Sequence, residues 1–321
     1  MLILWRKLLE KEQKKFVTFD EQVDLIINHK HITVVDKENA KDILSRIGYF
    51  PLMEGYKHLF RKQNSNIYKT ETTFDEIVNL YYFDEKLREL FLRYLLRIER
   101  HLRTLISYYF VECYGISQDE YLNVNNYNKA RKYKNVINKL VVILEKTTNT
   151  TDYNYINYYR DTYGNLPLWV TTNVLTFGSL SKMFTVLPQS IKSRICKHFN
   201  NINQNQMDSF LSVLTKYRNV CAHGECLFSY KTVDSISDTS LHEKLKLPNK
   251  GNQYIKGKQD LFAVVIVFRY LLPNSDFLTF KRKLIMEIEN VVQLNQHVSR
   301  EELLDLMGFS NNWIRISRYQ L

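Results

Sequence analysis

The sequence predicts an all-α fold, and three observations point to it. The chain of 321 residues has only nine glycines and five prolines, so residues that break helices are rare. Apolar residues recur at spacings of three and four over long segments, which is typical of amphipathic helices. A hydrophobic content of 45% is enough to build a sizeable core at this length.

The first elements are expected between residues 18 and 61, as two short helices. Thr18 and Glu21 fit a capping box, in which a hydroxyl and a carboxylate satisfy each other's backbone donors. Gly48 is expected to end the second helix. We expect residues 1–72 to form an N-terminal helical module.

The clearest element is a long helix from about Thr73 to Gly115, and Asp84 could cap a second segment if the helix breaks there. Glu99 and Arg103 lie at the flank of its apolar stripe, where a partly buried ion pair could support a neighbouring site. Nearly opposite that stripe stand four basic residues, Lys86, Arg93, Arg97 and Arg100. They form either a solvated face or a stripe that follows RNA phosphates, and the pattern leaves both open.

Residues 73–321 are expected to form the main helical domain. Its further helices are predicted at residues 128–144, 208–222, 261–272, 277–294 and 300–307, and Ser179 is a candidate cap for another. The region near 229–260 has the composition of a long loop. It either covers substrate or is a passive insertion.

The chain is strongly basic. Lysine and arginine number 45 and aspartate and glutamate number 34, which gives a formal net charge of +11. Such a charge favours polyanions, although basic chains are common, and with the motif described next it leads us to expect a nucleic-acid partner. Four cysteines without a CxxC pair, no signal peptide and no apolar run as long as a membrane span predict a cytoplasmic protein without a membrane partner.

The most informative stretch places Arg218, Asn219 and His223 within six positions at the predicted end of a helix. An imidazole moves protons near neutral pH, and a guanidinium holds a phosphate with two parallel hydrogen bonds. Asn219 and His223 share a helix face, whereas Arg218 points about 140° away from His223. The arginine and the histidine can meet only if the helix ends or distorts, which Gly224 would permit.

These residue types suit a phosphodiester, and RNA needs no metal because its 2′-hydroxyl is the nucleophile. One group must take that proton and another must protonate the leaving 5′-oxygen. A single His223 cannot easily do both, but two copies in a twofold dimer could share the tasks. In the alternative interpretation, His223 caps a helix and Arg218 forms a surface ion pair.

A metal or cofactor is not expected. Cys221, His223 and Cys226 could be read as ligands, but three ligands within six residues match no closed tetrahedral site. The sequence contains no Walker-type phosphate loop, no GxSxG and no HExxH, which argues against an ATPase, a serine hydrolase or a zincin.

The segment from Arg218 to His223 resembles the RN-x-x-x-H motif of HEPN-domain ribonucleases. The wider chain resembles the abortive-infection phage-defence proteins of the AbiD/AbiF type (Abi_2-like), from about residue 18 to residue 313. The blocks that carry this resemblance include Ile47-Gly48-Tyr49-Phe50, Ile98-Glu99-Arg100-His101-Leu102-Arg103, Pro167-Leu168-Trp169-Val170, Phe177-Gly178-Ser179-Leu180 and Met307-Gly308-Phe309. The residues before Phe16 look like an extension, and the loop after Tyr230 is individual.

The resemblance implies an all-α HEPN-type helical bundle with additional N-terminal and C-terminal helices. It implies a homodimer with a paired active site and metal-independent RNA cleavage, in which Arg218, Asn219 and His223 are catalytic and Glu99 and Arg103 support them. A defence toxin must be held inactive in healthy cells, and a bound non-coding RNA or protein is a plausible inhibitor. The alternative function is a non-catalytic module that holds a structured RNA.

Overall fold

The computed structural model describes residues 16–62 and 65–321. In this part of the chain, regular structure is helical apart from a two-stranded hairpin and two isolated bridges, which confirms the predicted all-α fold. Two compact units are present: one reaches to Tyr82 and adds Gln293–Val298, and the other comprises Phe83–Val292 and Ser299–Leu321. The extension expected before Phe16 lies outside the described residues.

The first unit has more elements than the two short helices expected. Its elements before the long helix are α1 (Phe19–Asp24), a π-helical turn (Leu25–His29), α2 (Lys37–Ile47), α3 (Tyr49–Gly55) and a 3-10 turn (Lys57–Leu59). The capping box between Thr18 and Glu21 is formed, as predicted. Helix α2 ends before Gly48, also as predicted, but a new helix starts immediately after this glycine.

The long helix α4 (Phe74–Tyr114) has 41 residues and no break. Thr73 and Glu76 cap its start, because each side chain accepts a hydrogen bond from the other residue's backbone N–H. The break considered at Asp84 is absent, so Asp84 is not the N-cap of a second helix. N–H groups inside an unbroken helix are already bonded, and the fully buried Asp84 carboxylate accepts hydrogen bonds from a distant segment instead.

Shorter helices follow in the second unit. They are α5 (Gln118–Leu122), α6 (Lys134–Asn149), α7 (Asn154–Tyr163), α8 (Leu168–Thr171), α9 (Phe177–Val186), α10 (Gln189–Cys196) and α11 (Gln204–His223). Helix α6 starts later than residue 128 because 3-10 turns precede it. Thr176, not Ser179, is the N-cap of α9, since the Thr176 hydroxyl accepts the Ser179 N–H at 3.2 Å.

Helix α9 packs against both α6 and α11. Phe177 and Gly178 lie in the first turn of α9. A Cβ added at Gly178 would lie 3.4 Å from Cγ2 of Thr215 on α11, which is close to an ordinary contact distance. Gly178 therefore faces α11 and does not end a helix.

The region 229–260 is mostly loop, as predicted, with α12 (Ser240–Lys244) and a hairpin of β1 (Asn249–Lys250) and β2 (Gln253–Tyr254). Side chains of α11 hold this loop. Ser212 donates to the Asp234 carboxylate at 2.7 Å, and the Tyr217 hydroxyl lies 2.9 Å and 3.0 Å from the carbonyl oxygens of Tyr230 and Gln259. Both ends of the loop are thus fixed beside the helix that carries the motif.

The remaining helices are α13 (Leu261–Leu271), α14 (Asn274–Leu294) and α15 (Arg300–Leu306), and a 3-10 helix (Trp313–Arg318) follows them. Helix α13 is buried along its length, as predicted. Rings of Phe91, Phe268 and Phe280 pack with centroids 5.0–5.7 Å apart and join α4, α13 and α14. None of the helices that the structure describes is both long enough and apolar enough to cross a bilayer.

Asp260 begins helix α13 as its N-cap. Its carboxylate accepts hydrogen bonds from the N–H groups of Ala263 at 3.1 Å and of Gly257 at 3.0 Å. Gly308 approaches this carboxylate so closely that a Cβ there would lie 2.0 Å from Cγ of Asp260, and its φ of 83° also favours glycine. Gly308 of the block Met307-Gly308-Phe309 is therefore required for packing around the cap.

The buried Asp260 carboxyl group makes stability depend on pH. Burial raises its pKa from 3.8 to about 6, although its backbone hydrogen bonds act in the opposite direction. The folded protein then holds this proton more firmly than the unfolded chain, so the group stabilises the fold below pH 4 and this contribution is lost as pH rises through 6. We expect the wild type to lose roughly 3 kcal/mol relative to Asp260→Asn between pH 4 and pH 7.

Urea unfolding of both proteins across this pH range measures that difference. Asp119→Asn is the control, because Asp119 is exposed on α5. Parallel stability curves for the wild type and Asp260→Asn would contradict the prediction.

Candidate functional site

The last two turns of α11 have one buried face and one accessible face. Tyr217 and Cys221 are buried. Asn219 and His223 are exposed, and the side chain of Arg218 is 30% exposed. The three polar residues of the motif are therefore accessible to a ligand, and none is enclosed in the core.

Helix α11 is regular through His223 and ends there. Gly224 adopts a left-handed conformation with φ 71°, and its N–H bonds to the carbonyl of Val220. The distortion that would bring Arg218 and His223 together is absent, so the two side chains leave the helix about 140° apart. One copy of the chain places Asn219 and His223 on one face and Arg218 on another.

Arg218 points toward a buried carboxylate on α4. Its Nε lies 3.9 Å from Oε2 of Glu99, and the Glu99 side chain is only 7% exposed. The other carboxylate oxygen accepts a hydrogen bond from Nη2 of Arg103 at 2.8 Å. The structure thus brings the predicted Glu99–Arg103 pair together with Arg218 in one cluster, Arg103–Glu99–Arg218.

The two arginines of this cluster are held differently. Arg103 also donates to the carbonyl of Leu175 at 3.1 Å, just before α9, so it is fixed between two elements. For Arg218, no hydrogen bond from the guanidinium is seen among the described residues, and its buried Nε has no hydrogen-bond partner. Its terminal nitrogens remain available to an anionic ligand.

A second buried carboxylate fixes the chain just after the motif. Asp84 accepts the N–H of Leu227 at 2.9 Å and that of Phe228 at 2.7 Å. It also accepts from Nη1 of Arg88 at 2.6 Å, and Arg88 reaches the carbonyl of Glu225 at 3.3 Å. We call Asp84 and Arg88 the α4 clamp, because they attach residues 225–228 to α4.

The sequence analysis missed the α4 clamp, although a signal was present. Asp84 lies seven positions from Phe91 and three from Leu87, so it falls on the same apolar face as these two buried residues. Arg88 follows at the (i, i+4) spacing that suits an ion pair. Opposite charges at this spacing inside an apolar stripe indicate a buried pair with a structural task.

The basic row predicted on α4 divides into two kinds of residue. Lys86 pairs with Glu287 at 3.7 Å, and Arg97 pairs with Asp276 and lies against the ring of Tyr94. Arg93 and Arg100 are exposed. The structure thus places carboxylates beside two of the four cations, which weakens them as phosphate contacts.

The cysteines beside the motif are poor candidates for metal ligands. Burial raises the pKa of Cys221 and of Cys226 to about 12, whereas a thiol must lose its proton to bind a metal. In the part of the chain that the structure describes, no three His, Cys, Asp or Glu side chains form a cluster that could hold a metal ion.

Tyr155 on α7 lies near Arg103 and is exposed. Its pKa is raised by burial and by Tyr153, and the charge of Arg103 lowers it. Tyr158 and Tyr163 on the same helix are more than half exposed. One exposed aromatic ring, that of Tyr155, is therefore within the field of Arg103.

The α4 clamp should contribute strongly to stability, because Asp84 and Arg88 are both buried. We expect Asp84→Asn to lower the free energy of unfolding by about 3 kcal/mol, since it removes the carboxylate charge that faces Arg88 and places an amide against backbone N–H groups. Urea unfolding measures this. The exposed neighbour Glu85→Gln should change stability by less than about 0.5 kcal/mol, and equal losses in the two variants would refute the clamp.

A comparison with protein families places these residues in a known context. The model of one family, described as Abi-like protein, matches residues 42–229. This match includes the α4 clamp, the Arg103–Glu99–Arg218 cluster and the whole RN-x-x-x-H segment. Neither a search of curated proteins nor a search of solved structures found a match. The chain therefore belongs to the Abi-like protein family, and this membership supports a role in abortive infection.

Proposed function

We propose that this protein is an antiviral toxin of abortive infection that cleaves RNA as a metal-independent, HEPN-type endoribonuclease. Arg218, Asn219 and His223 are the proposed catalytic residues, and Glu99 and Arg103 are positioning residues. The observation that carries the proposal is an exposed imidazole at the end of α11, together with an arginine on another face of the same helix that keeps free donors beside a buried carboxylate.

The chemistry follows from the groups present. Neutral His223 removes the proton of a ribose 2′-hydroxyl, whose oxygen attacks the adjacent phosphorus. The bond to the 5′-oxygen breaks, that oxygen takes a proton from an acid, and the products are a 2′,3′-cyclic phosphate and a 5′-hydroxyl end. Arg218 binds the phosphate and offsets the charge that develops on it. Asn219 orients the imidazole or donates to a phosphate oxygen.

The divergence of Arg218 and His223 supports a site made from two copies of the chain. One His223 cannot act as base and acid in the same step, and within one chain it leaves α11 about 140° away from Arg218. A twofold axis near the end of α11 would supply a second imidazole as the acid and a second guanidinium. We therefore propose a homodimer as the active form.

Glu99 tunes the arginine and does not touch the substrate. Its carboxylate keeps Arg218 extended toward α4 and partly offsets its charge, while Arg103 holds the carboxylate from the other side. A phosphate then meets a guanidinium whose direction is already set, which lowers the entropy lost on binding.

RNA is the partner that the surroundings of the site suit best. The exposed ring of Tyr155 near Arg103 offers a face on which an unpaired base can stack, and this kind of contact tolerates any base. The net charge of +11 favours the same partner. A bound RNA or protein that covers the end of α11 would keep the toxin inactive before infection.

His223→Ala should abolish RNA cleavage. We expect the rate on a single-stranded RNA to fall at least about 100-fold, because general acid–base catalysis is lost. Gel analysis of labelled RNA, without added metal, measures the rate and identifies the cyclic phosphate end. The control is His29→Ala, an exposed histidine in the first unit, which should leave the rate unchanged.

The outcome also separates the two functions that the sequence suggested. Equal cleavage by the wild type and His223→Ala would exclude this histidine as a catalytic residue. Tight binding of RNA without cleavage by the wild type would instead favour a non-catalytic RNA-binding module.

The rate of cleavage should depend on dimer concentration. At protein concentrations where monomer predominates, we expect that doubling the protein raises the rate about fourfold, because the dimer population varies with the square of the monomer concentration. Rates measured over a dilution series, with sedimentation analysis of the same samples, test this. A rate strictly proportional to protein concentration, in samples shown to be monomeric, would refute the paired site.

A further inference from the structure

A cavity of about 790 Å³ lies on a side of α4 that the candidate site does not use. His101 lines it, and residues two apart on a helix differ by about 200° in direction, so His101 points away from Glu99 and Arg103. The other walls come from the loop after α10, the end of α13 and the 3-10 helix Trp313–Arg318. All of these elements belong to the second unit.

The cavity is lined by basic side chains without acidic ones. His101, His198, Arg269 and Arg318 contribute to its walls, and its lining residues, all of them described, include no aspartate or glutamate. The rings of His101 and His198 have centroids 6.4 Å apart. Partial burial and the charge of His198 both lower the pKa of His101.

The two arginines of the cavity wall have hydrogen-bond donors available to a ligand. Arg269 donates from Nη2 to the carbonyl of Tyr319 at 3.1 Å, and its Nε is buried without a hydrogen bond. Arg318 is exposed, and its charge adds to burial in lowering the pKa of Lys281. Among the described residues no ion pair is seen for either arginine, so no side-chain carboxylate neutralises them.

Helix α14 adds to this field. It starts at Asn274, and both Pro273 and Asn274 line the cavity, so the positive end of a 21-residue helix dipole borders it. Asp276 in the same turn is paired with Arg97. Side chains and backbone thus favour an anion at the same place.

We propose that this cavity binds the phosphate group of a nucleotide, either free or as one unit of an RNA strand. Arginine offers paired donors to phosphate oxygens, and imidazoles add further donors. The ring of Phe199 lies 5.0 Å from that of His101 but is only 8% exposed, so the exposed His101 ring is the one that can contact a base. The volume lies in the range of small-ligand sites. The proposal does not rest on RNA cleavage, because it uses none of the residues of the motif.

Two probes distinguish the sources of the phosphate. ATP binding to the full chain is measured by titration calorimetry at low salt. Binding of a short, labelled single-stranded RNA is measured by fluorescence anisotropy, with His223→Ala present in every protein so that the RNA stays intact. Binding of ATP identifies a free nucleotide as a ligand, and binding of RNA alone identifies the strand.

Variants locate the binding in the cavity. We expect Arg318→Gln to weaken binding about tenfold, because one charge-assisted contact is lost, and His101→Gln to weaken it less. Arg315→Gln is the matched control: Arg315 is exposed on the same 3-10 helix but does not line the cavity. All three positions are exposed, and thermal unfolding confirms that each variant folds.

Three results would overturn the proposal. They are equal affinities of the wild type, Arg318→Gln and His101→Gln, an equal loss of affinity in Arg315→Gln, and failure of both probes to bind at low salt. The second result would show that the basic surface attracts anions without a defined site.

Discussion

The buried carboxylate of Glu99 is the constraint on which the candidate site depends. A carboxylate that is 7% exposed is costly unless cations and hydrogen bonds offset its desolvation. Arg103 offsets it with a hydrogen bond, and Arg218 does so with charge alone, at 3.9 Å. Arg103 is therefore fixed by hydrogen bonds, whereas the terminal nitrogens of Arg218 remain available to a ligand. That asymmetry is what makes a structural ion-pair cluster suitable for holding a ligand.

Buried carboxylates recur around α11. Asp84 binds the residues that follow the end of α11. Asp260 lies at the end of the long loop and caps the next helix, α13. In both cases the acceptors meet backbone N–H groups that would otherwise be unsatisfied inside the protein. The motif is thus surrounded by short segments whose positions are set by individual side chains and not by extended secondary structure.

Much of this architecture could be predicted from the sequence. The 41-residue helix α4, the buried helix α13 and the capping box at Thr18 follow from local patterns, since periodicity and caps act within a few residues. The pairing of Glu99 with Arg103 follows from a spacing of four. What could not be predicted is which distant partner each polar group meets, as the misassigned Asp84 shows. The prediction of Ser179 as the cap of α9 was wrong for a local reason, because Thr176 offers an equally good cap three residues earlier.

The geometry of the motif itself was only half predictable. Helical spacing shows that Arg218 and His223 diverge, and it leaves open whether the helix distorts to reunite them. Gly224 is a permissive residue, and its left-handed conformation is used to close α11 one residue beyond His223 instead of bending it earlier. Helical spacing and capping are properties of a single chain, so they do not give the number of subunits that form a site.

The α4 clamp has a consequence for how such chains can diverge. Residues 225–228 are attached to α4 before the long loop begins, so the imidazole is located by contacts upstream of every residue from 229 to 260. Insertions or deletions between Asp234 and Gln259, two of the loop residues that bond to α11, would leave the end of that helix in place. Such separation would let the middle of the loop vary in sequence while the candidate site keeps its geometry.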